Sequence, residues 1–171
     1  MRFLLTNAIW LLFNLPIIYL AVAMVFSQSV EEAYMLGLTA VVLLPVFFFP
    51  ATMAMFAVTR QWVMKQKGQS LFRSYLRFYK ENYVRSILSG LAFIIIWGIW
   101  GWNYVLSGSE FGSIFSYIYL IGTVMLLAFT GFYFADNVHF KVGLLASFRK
   151  AFFLAIGHAI SLLALRLPSA F

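Results

Sequence analysis

The stretch Arg60–Arg85, RQWVMKQKGQSLFRSYLRFYKENYVR, decides how this chain is read. It holds seven of the twelve Lys and Arg residues and a single acid, Glu81. Apolar runs flank it on both sides: Tyr34–Val58, 25 residues without a charge, and Ile87–Leu106, 20 residues. A helix rises about 1.5 Å per residue and the hydrocarbon core is about 30 Å thick, so each run is long enough to cross a bilayer. Basic residues gathered between two such runs mark a cytoplasmic loop.

The same pattern extends outward. Phe3–Phe26 gives a further apolar run of 24 residues and Ile114–Ala135 one of 22. Ala151–Leu165 gives 15, roughly 22 Å as a helix and short of a crossing. Lys150 and Arg166 at its ends can snorkel and stretch it, so it reads as a short or truncated fifth span. None of these runs alternates as a barrel strand would, and backbone in lipid must satisfy its own hydrogen bonds, so helices are expected. The chain is 64% hydrophobic and 10% charged, with a mean hydropathy of +0.94. A soluble domain of 171 residues has too little interior for that. The expected fold is all-α, one polytopic membrane domain over residues 1–171: four full spans (about 3–26, 34–58, 87–106 and 114–135) and the shorter 151–165. The first run is too long for a signal-peptide core and lacks a small-residue cleavage site, so it is expected to stay as an anchor.

Alternate segments hold eleven Lys and Arg residues against none. Arg2, the Arg60–Arg85 segment and Lys141, Arg149 and Lys150 fall on one side. The Ser27–Ala33 and Ser107–Ser113 loops, with Glu31, Glu32 and Glu110, fall on the other. This asymmetry puts the N-terminus and both basic segments in the cytoplasm of a multi-pass plasma membrane protein. It also accounts for the +7 net charge without nucleic acid as a partner.

Inside the basic segment, Gly68-Gln69-Ser70 reads as a break and an N-cap, and residues 70–85 as an amphipathic helix between spans 2 and 3. Leu71, Phe72, Tyr75, Leu76, Phe78, Tyr79 and Tyr83 share one side; Arg73, Arg77, Lys80 and Arg85 share the other. Such a helix is expected to lie among headgroups and turn into the next span. Its basic face suits anionic lipid, at roughly 1 kcal/mol per charge, or a protein partner. The plainer reading is that these charges only hold the loop inside.

Few polar residues interrupt the spans. Asn7 and Asn14 are seven apart and are expected to face similar ways, as a polar stripe or as interhelical hydrogen-bonding groups. Pro16, Pro45 and Pro50 are expected to kink their helices, since proline frees a carbonyl one turn back. Ala51, Ala54 and Ala57 make a small-residue face. Asn82 falls on the aromatic side of the amphipathic helix and is expected to fasten it to the neighbouring spans.

Asp136, His139 and His158 are the candidates for acid–base or metal work; an interfacial acid and a packing histidine are the plainer readings. The chain has no cysteine, phosphate-binding glycine loop, His-Glu-x-x-His or Gly-x-Ser-x-Gly. The expectation is a protein that is not an enzyme and has no metal or cofactor.

The run Pro50-Ala-Thr-Met-Ala-Met-Phe-Ala-Val-Thr-Arg-Gln-Trp-Val, with Phe72-Arg-Ser-Tyr-Leu-Arg-Phe-Tyr-Lys-Glu-Asn-Tyr-Val-Arg-Ser, resembles the YesL-like family of bacterial membrane proteins of unknown function. Asn7-Ala-Ile-Trp-Leu-Leu-Phe-Asn-Leu-Pro resembles that family's first helix. After Pro16 the chain departs from the family, reading Ile-Ile-Tyr-Leu-Ala where a Gly-Pro-Ala turn is usual. The resemblance implies a plasma membrane protein of Gram-positive type, associated with carbohydrate uptake and degradation, with no assigned catalytic residues. Lys80, Asn82, Pro50 and Trp62 match the family pattern without a known role. Two functional readings follow. One is an accessory or interaction protein, linked to carbohydrate uptake or its regulation, with a partner such as a sugar-transporter component. The other is a small transporter or channel subunit acting as a homo-oligomer.

Overall fold

The computed structural model describes residues 2–64, 70–107, 112–137 and 143–165, in six helices. These are α1 (Arg2–Phe13), α2 (Leu15–Val25), α3 (Val30–Val63), α4 (Leu71–Ser107), α5 (Gly112–Asn137) and α6 (Leu144–Leu165). No strand occurs among the described residues. Three helices, α3, α4 and α5, are long and apolar enough to cross a membrane; a fourth crossing is added if α1 and α2 together form one span. The chain divides into two compact units, residues 1–95 and 96–171.

The first expected span is two helices. Its axis turns by 69° at Asn14. Pro16 is the cause: it has no N–H for the Leu12 carbonyl, and its ring collides with a straight continuation of the preceding turn. Asn14 therefore leaves helical geometry at φ −95° and ψ 4°. Its own N–H donates to the carbonyls of Trp10 and Leu11, both at 3.1 Å. The Ile18 N–H then restarts the ladder on the Asn14 carbonyl at 2.9 Å. A polar loop follows, and α3 opens on a cap: the Ser29 hydroxyl accepts from the Glu32 N–H at 3.1 Å, and the Glu32 carboxylate accepts from the Gln28 N–H at 3.0 Å.

Helix α3 carries Pro45 and Pro50 and still runs for 34 residues. In the first unit it forms the spine. Its buried face is Pro45, Phe49, Pro50, Ala51, Met53, Ala54, Ala57 and Val58, which includes the small-residue face read from the sequence. Ile9 and Phe13 of α1 and Tyr75, Phe78 and Tyr79 of α4 gather on Ala54 and Val58.

Two expected boundaries need correction. The amphipathic helix at 70–85 is not separate from the third span; both belong to α4, which is helical for 37 residues, about 55 Å. Nothing at Arg85-Ser86-Ile87 breaks a helix, since the Ser86 hydroxyl donates to its own helix at the Asn82 carbonyl, 2.7 Å away. One stripe also continues through the junction: Tyr75, Tyr79, Asn82, Ser86, Ser89 and Phe93 all lie on the buried or half-buried side. Likewise α6 begins at Leu144, seven residues before the apolar run, and spans 22 residues. Its basic turn at Arg149 and Lys150 lies within the helix.

The second unit sets α5 against α6. Ser147, Ala151 and Ala155 form the buried stripe of α6. Phe148 lies 4.6 Å from Tyr133 and 6.0 Å from Phe129 between ring centres. The last turns of α4 join through two indoles. Trp97 Nε1 donates to Thr130 Oγ1 at 3.3 Å, and Trp100 Nε1 to Thr123 Oγ1 at 3.0 Å. Residue numbers rise on one helix as they fall on the other, so these segments run antiparallel.

Candidate functional site

The basic end of α4 is the best-defined surface feature, and its geometry follows from how its other face is held. Tyr75 is fully buried, 0% exposed, and its hydroxyl donates to the Ala51 carbonyl at 2.8 Å. The Tyr79 hydroxyl donates to the Val46 carbonyl at 3.4 Å. Pro50 is four residues beyond Val46 and has no N–H to answer that carbonyl, so Tyr79 provides the donor that the proline removed. The Phe13 ring lies 5.4 Å from Tyr75 and 4.8 Å from Tyr79, which closes the group from α1. Further along, Gly90 lets α4 approach α3 closely: a Cβ there would stand 3.0 Å from the Pro45 Cα and from the Phe49 ring.

With that face held, the opposite one is displayed. Arg73, Arg77 and Lys80 are exposed, as is Glu81. Arg77 Nε lies 3.9 Å from the Glu81 carboxylate, and its guanidinium sits 4.8 Å from the centre of the Phe78 ring. At that exposure the ion pair contributes little, about 0.3–0.5 kcal/mol for an i, i+4 pair. Arg85 differs from the other three: it is half-buried and engaged. Phe72, read with the apolar side, is exposed.

The polar residues of the spans divide. Asn7 is exposed and lines a small cavity of about 170 Å³ with Thr6 and Thr59. Asn14 is buried, 1% exposed. Its Nδ2 donates to the Trp10 carbonyl at 2.8 Å, while Oδ1 is buried with no partner. The two asparagines thus do not form one buried stripe, because Thr6 takes the buried position beside Asn7. Asn82 does not fasten α4 to its neighbours: its Nδ2 donates to Phe78 of its own helix at 3.0 Å. Tyr75 and Tyr79 do the fastening. Lys65, Lys67 and His139 lie outside the described residues, as do the side chains of Asp136 and His158. Among the described residues no three His, Cys, Asp or Glu side chains are grouped as a metal site.

Sequence reading missed a repeated device. Trp10 Nε1 donates to Thr52 Oγ1 at 3.1 Å, so three of the five tryptophans donate to a threonine on another helix. Thr123 and Thr130 also donate to carbonyls of their own helix, at 2.7 and 2.8 Å. Each such hydroxyl both gives and receives, which suits a polar group in an apolar setting.

The architecture is that of a helical protein with several membrane-span-like helices and no strand among its described residues. Residues 3–104 match the family described as "Protein of unknown function, DUF624", and the chain belongs to that family. This is the YesL-like family whose motifs the sequence carries. Comparison with curated proteins and with solved structures gives no match.

Proposed function

We propose that this protein is a non-catalytic, multi-pass plasma membrane accessory protein whose N-terminus and basic segments face the cytoplasm. The beginning of α4 is its working surface. Arg73, Arg77 and Lys80 engage anionic headgroups and the cytoplasmic face of a membrane partner. A component of a sugar-uptake system fits the carbohydrate association that the family resemblance implies. The supporting observation is that the same turns of α4 bury Tyr75 against α3 while leaving three cations exposed. A rigidly held helix loses little backbone freedom on docking. Arg85, half-buried and already engaged, is left out of this surface.

The test is affinity purification from native membranes of the wild type and of Arg73→Glu/Arg77→Glu/Lys80→Glu. The variant should keep its membrane location and lose its co-purifying partner. An unchanged set of partners would refute the docking role.

One observation favours the second reading, a transporter or channel subunit working as an oligomer. The α1–α2 break leaves a buried amide oxygen without a partner, and the neighbouring α3 carries two prolines inside its helix. Discontinuous helices and spare acceptors are how transporters line a route. Solute flux into liposomes holding this protein alone would establish that reading. An ion- and sugar-tight vesicle would remove it.

A further inference from the structure

In the second unit a cavity of about 460 Å³ lies between the end of α4, the middle of α5 and α6. Its lining side chains are apolar apart from the amide of Asn103, the phenol of Tyr119 and the indole of Trp100, whose N–H is given to Thr123. We propose that this cavity is a lipid site, which takes one acyl chain of a bilayer phospholipid and holds a hydrogen-bond donor of the headgroup at Asn103.

Four observations carry this. The first is shape. On α5 the lining extends from Tyr119 to Phe129, about 15 Å of helix, so a 460 Å³ space is about 30 Å² in section. That is a slot for a single slender chain, not a chamber for a compact polar solute. The second is access. Ile99, Met125 and Phe152 belong to the lining and are exposed in mid-helix, so the slot opens sideways. α4 and α5 are both apolar enough to cross a membrane, and a lateral opening at that depth meets lipid.

The third is rigidity. Trp100 forms a wall and is tied to Thr123 by its indole N–H. It lies so close to α5 that a Cβ on Gly122 would stand 2.5 Å from the ring. Glycine at 122 lets the indole lie flat and leaves the slot open. The fourth is polarity. Tyr119 and Asn103 sit together at one end, whereas Phe129 and Ile96 define the other, as the antiparallel pairing of α4 and α5 requires. Asn103 Nδ2 donates to the Ile99 carbonyl at 2.8 Å, which leaves Oδ1 to accept. Asn103 is one turn from the end of α4, the level at which a headgroup lies. An acceptor there selects ethanolamine or glycerol headgroups, which donate, over choline, which does not.

The experiment uses the full chain in nanodiscs containing a trace of phospholipid with a diazirine on one acyl chain, with labelled residues mapped by mass spectrometry. A parallel sample is released from detergent for native mass spectrometry. Labelling concentrated on Met125, Leu126 and Ile156, with one retained phospholipid per chain, is expected. Ile156→Trp fills the slot. Excluding only two methylenes should weaken retention about tenfold, with thermal unfolding reporting that the variant is folded. Met125→Trp, at the rim, serves the same purpose should Ile156→Trp fail to fold. Asn103→Leu should keep the bound chain and abolish the preference for ethanolamine and glycerol headgroups over choline. Label spread evenly onto the outward residues Leu120 and Leu127, or retention unchanged in a folded slot-filling variant, would overturn the proposal.

Discussion

The Tyr79–Val46 hydrogen bond is readable as a repair, and that makes it testable by a double-mutant cycle. In α3, Pro50 deprives the Val46 carbonyl of its usual donor, and Tyr79 reaches it from α4 at 3.4 Å. Tyr79→Phe removes the hydroxyl, keeps the ring against Phe13, and leaves a half-buried carbonyl without a donor. An orphaned buried acceptor costs about 1–3 kcal/mol, and the length of this bond places the loss near the lower end, at about 1 kcal/mol. Pro50→Ala restores an N–H at position 50, which returns the Val46 carbonyl to its own helix. In that background Tyr79→Phe should cost no more than about 0.3 kcal/mol, the level at which independent sites add. Tyr75→Phe is the internal control. Its acceptor, the Ala51 carbonyl, sits where Met55 supplies an ordinary helix donor, so its cost of about 1 kcal/mol should be the same with and without Pro50. The assay is reversible unfolding in mixed micelles followed by circular dichroism, for all six proteins. Equal costs of Tyr79→Phe in the two backgrounds would refute the repair.

Three other outcomes follow from the same geometry. Gly90→Ala should destabilise by about 1–3 kcal/mol in the same unfolding assay, because its Cβ meets the Pro45 backbone at 3.0 Å. Gly98→Ala, with nothing within 4 Å, should be neutral or stabilise by up to about 1 kcal/mol, and a loss there equal to that at Gly90 would remove the close-approach argument. Asn82→Leu should change stability by no more than about 0.5 kcal/mol, since its amide serves only its own helix; a larger loss would return Asn82 to a fastening role. Asn14→Leu should leave the fold intact or tighten it, because it removes an unanswered buried acceptor; strong destabilisation would show that Oδ1 has a partner such as a bound water.

The apolar spans within α3, α4 and α5 are legible because hydropathy dictates them, and Pro16 signals a bend in the first run. The size and place of that break were less legible. A proline tells that the ladder is interrupted, but how far the axis turns depends on what the preceding turn packs against, here Trp10 on Thr52 and Phe13 on the two tyrosines. The expected boundary at residue 85 lies where charge gives way to apolar residues. Charge marks the water line and says nothing of whether a helix stops there, and no glycine, proline or cap stands at Arg85-Ser86 to stop it. The amide of Asn82 on an aromatic face needs a partner, and a carbonyl four residues back in its own helix provides it. In the sequence Tyr75 and Tyr79 read as apolar bulk, although Pro50 leaves a carbonyl in want of a donor. The tryptophan–threonine pairs depend on the register between helices, which one sequence does not contain.

The continuity of α4 bears directly on how the two functional readings can be separated. If the basic turns formed a hinged surface helix, reversing their charge would also alter how that helix lies on the membrane, and lost docking would be confounded with lost structure. Instead Tyr75, Tyr79 and Gly90 hold the inner face of α4 against α3 over about four turns, and the cations occupy the outer face without buried partners. Charge reversal at 73, 77 and 80 therefore removes attraction of about 1 kcal/mol per charge at an anionic surface while leaving the core untouched. The transport reading draws on a different place, the amide of Asn14 at the α1–α2 break. The two perturbations touch no common side chain, so each function can be removed from the same protein while the other is kept. A protein that loses its partners on charge reversal but is indifferent to Asn14→Leu is an accessory subunit. One that stops passing solute on Asn14→Leu, with its partners intact, is a conduit.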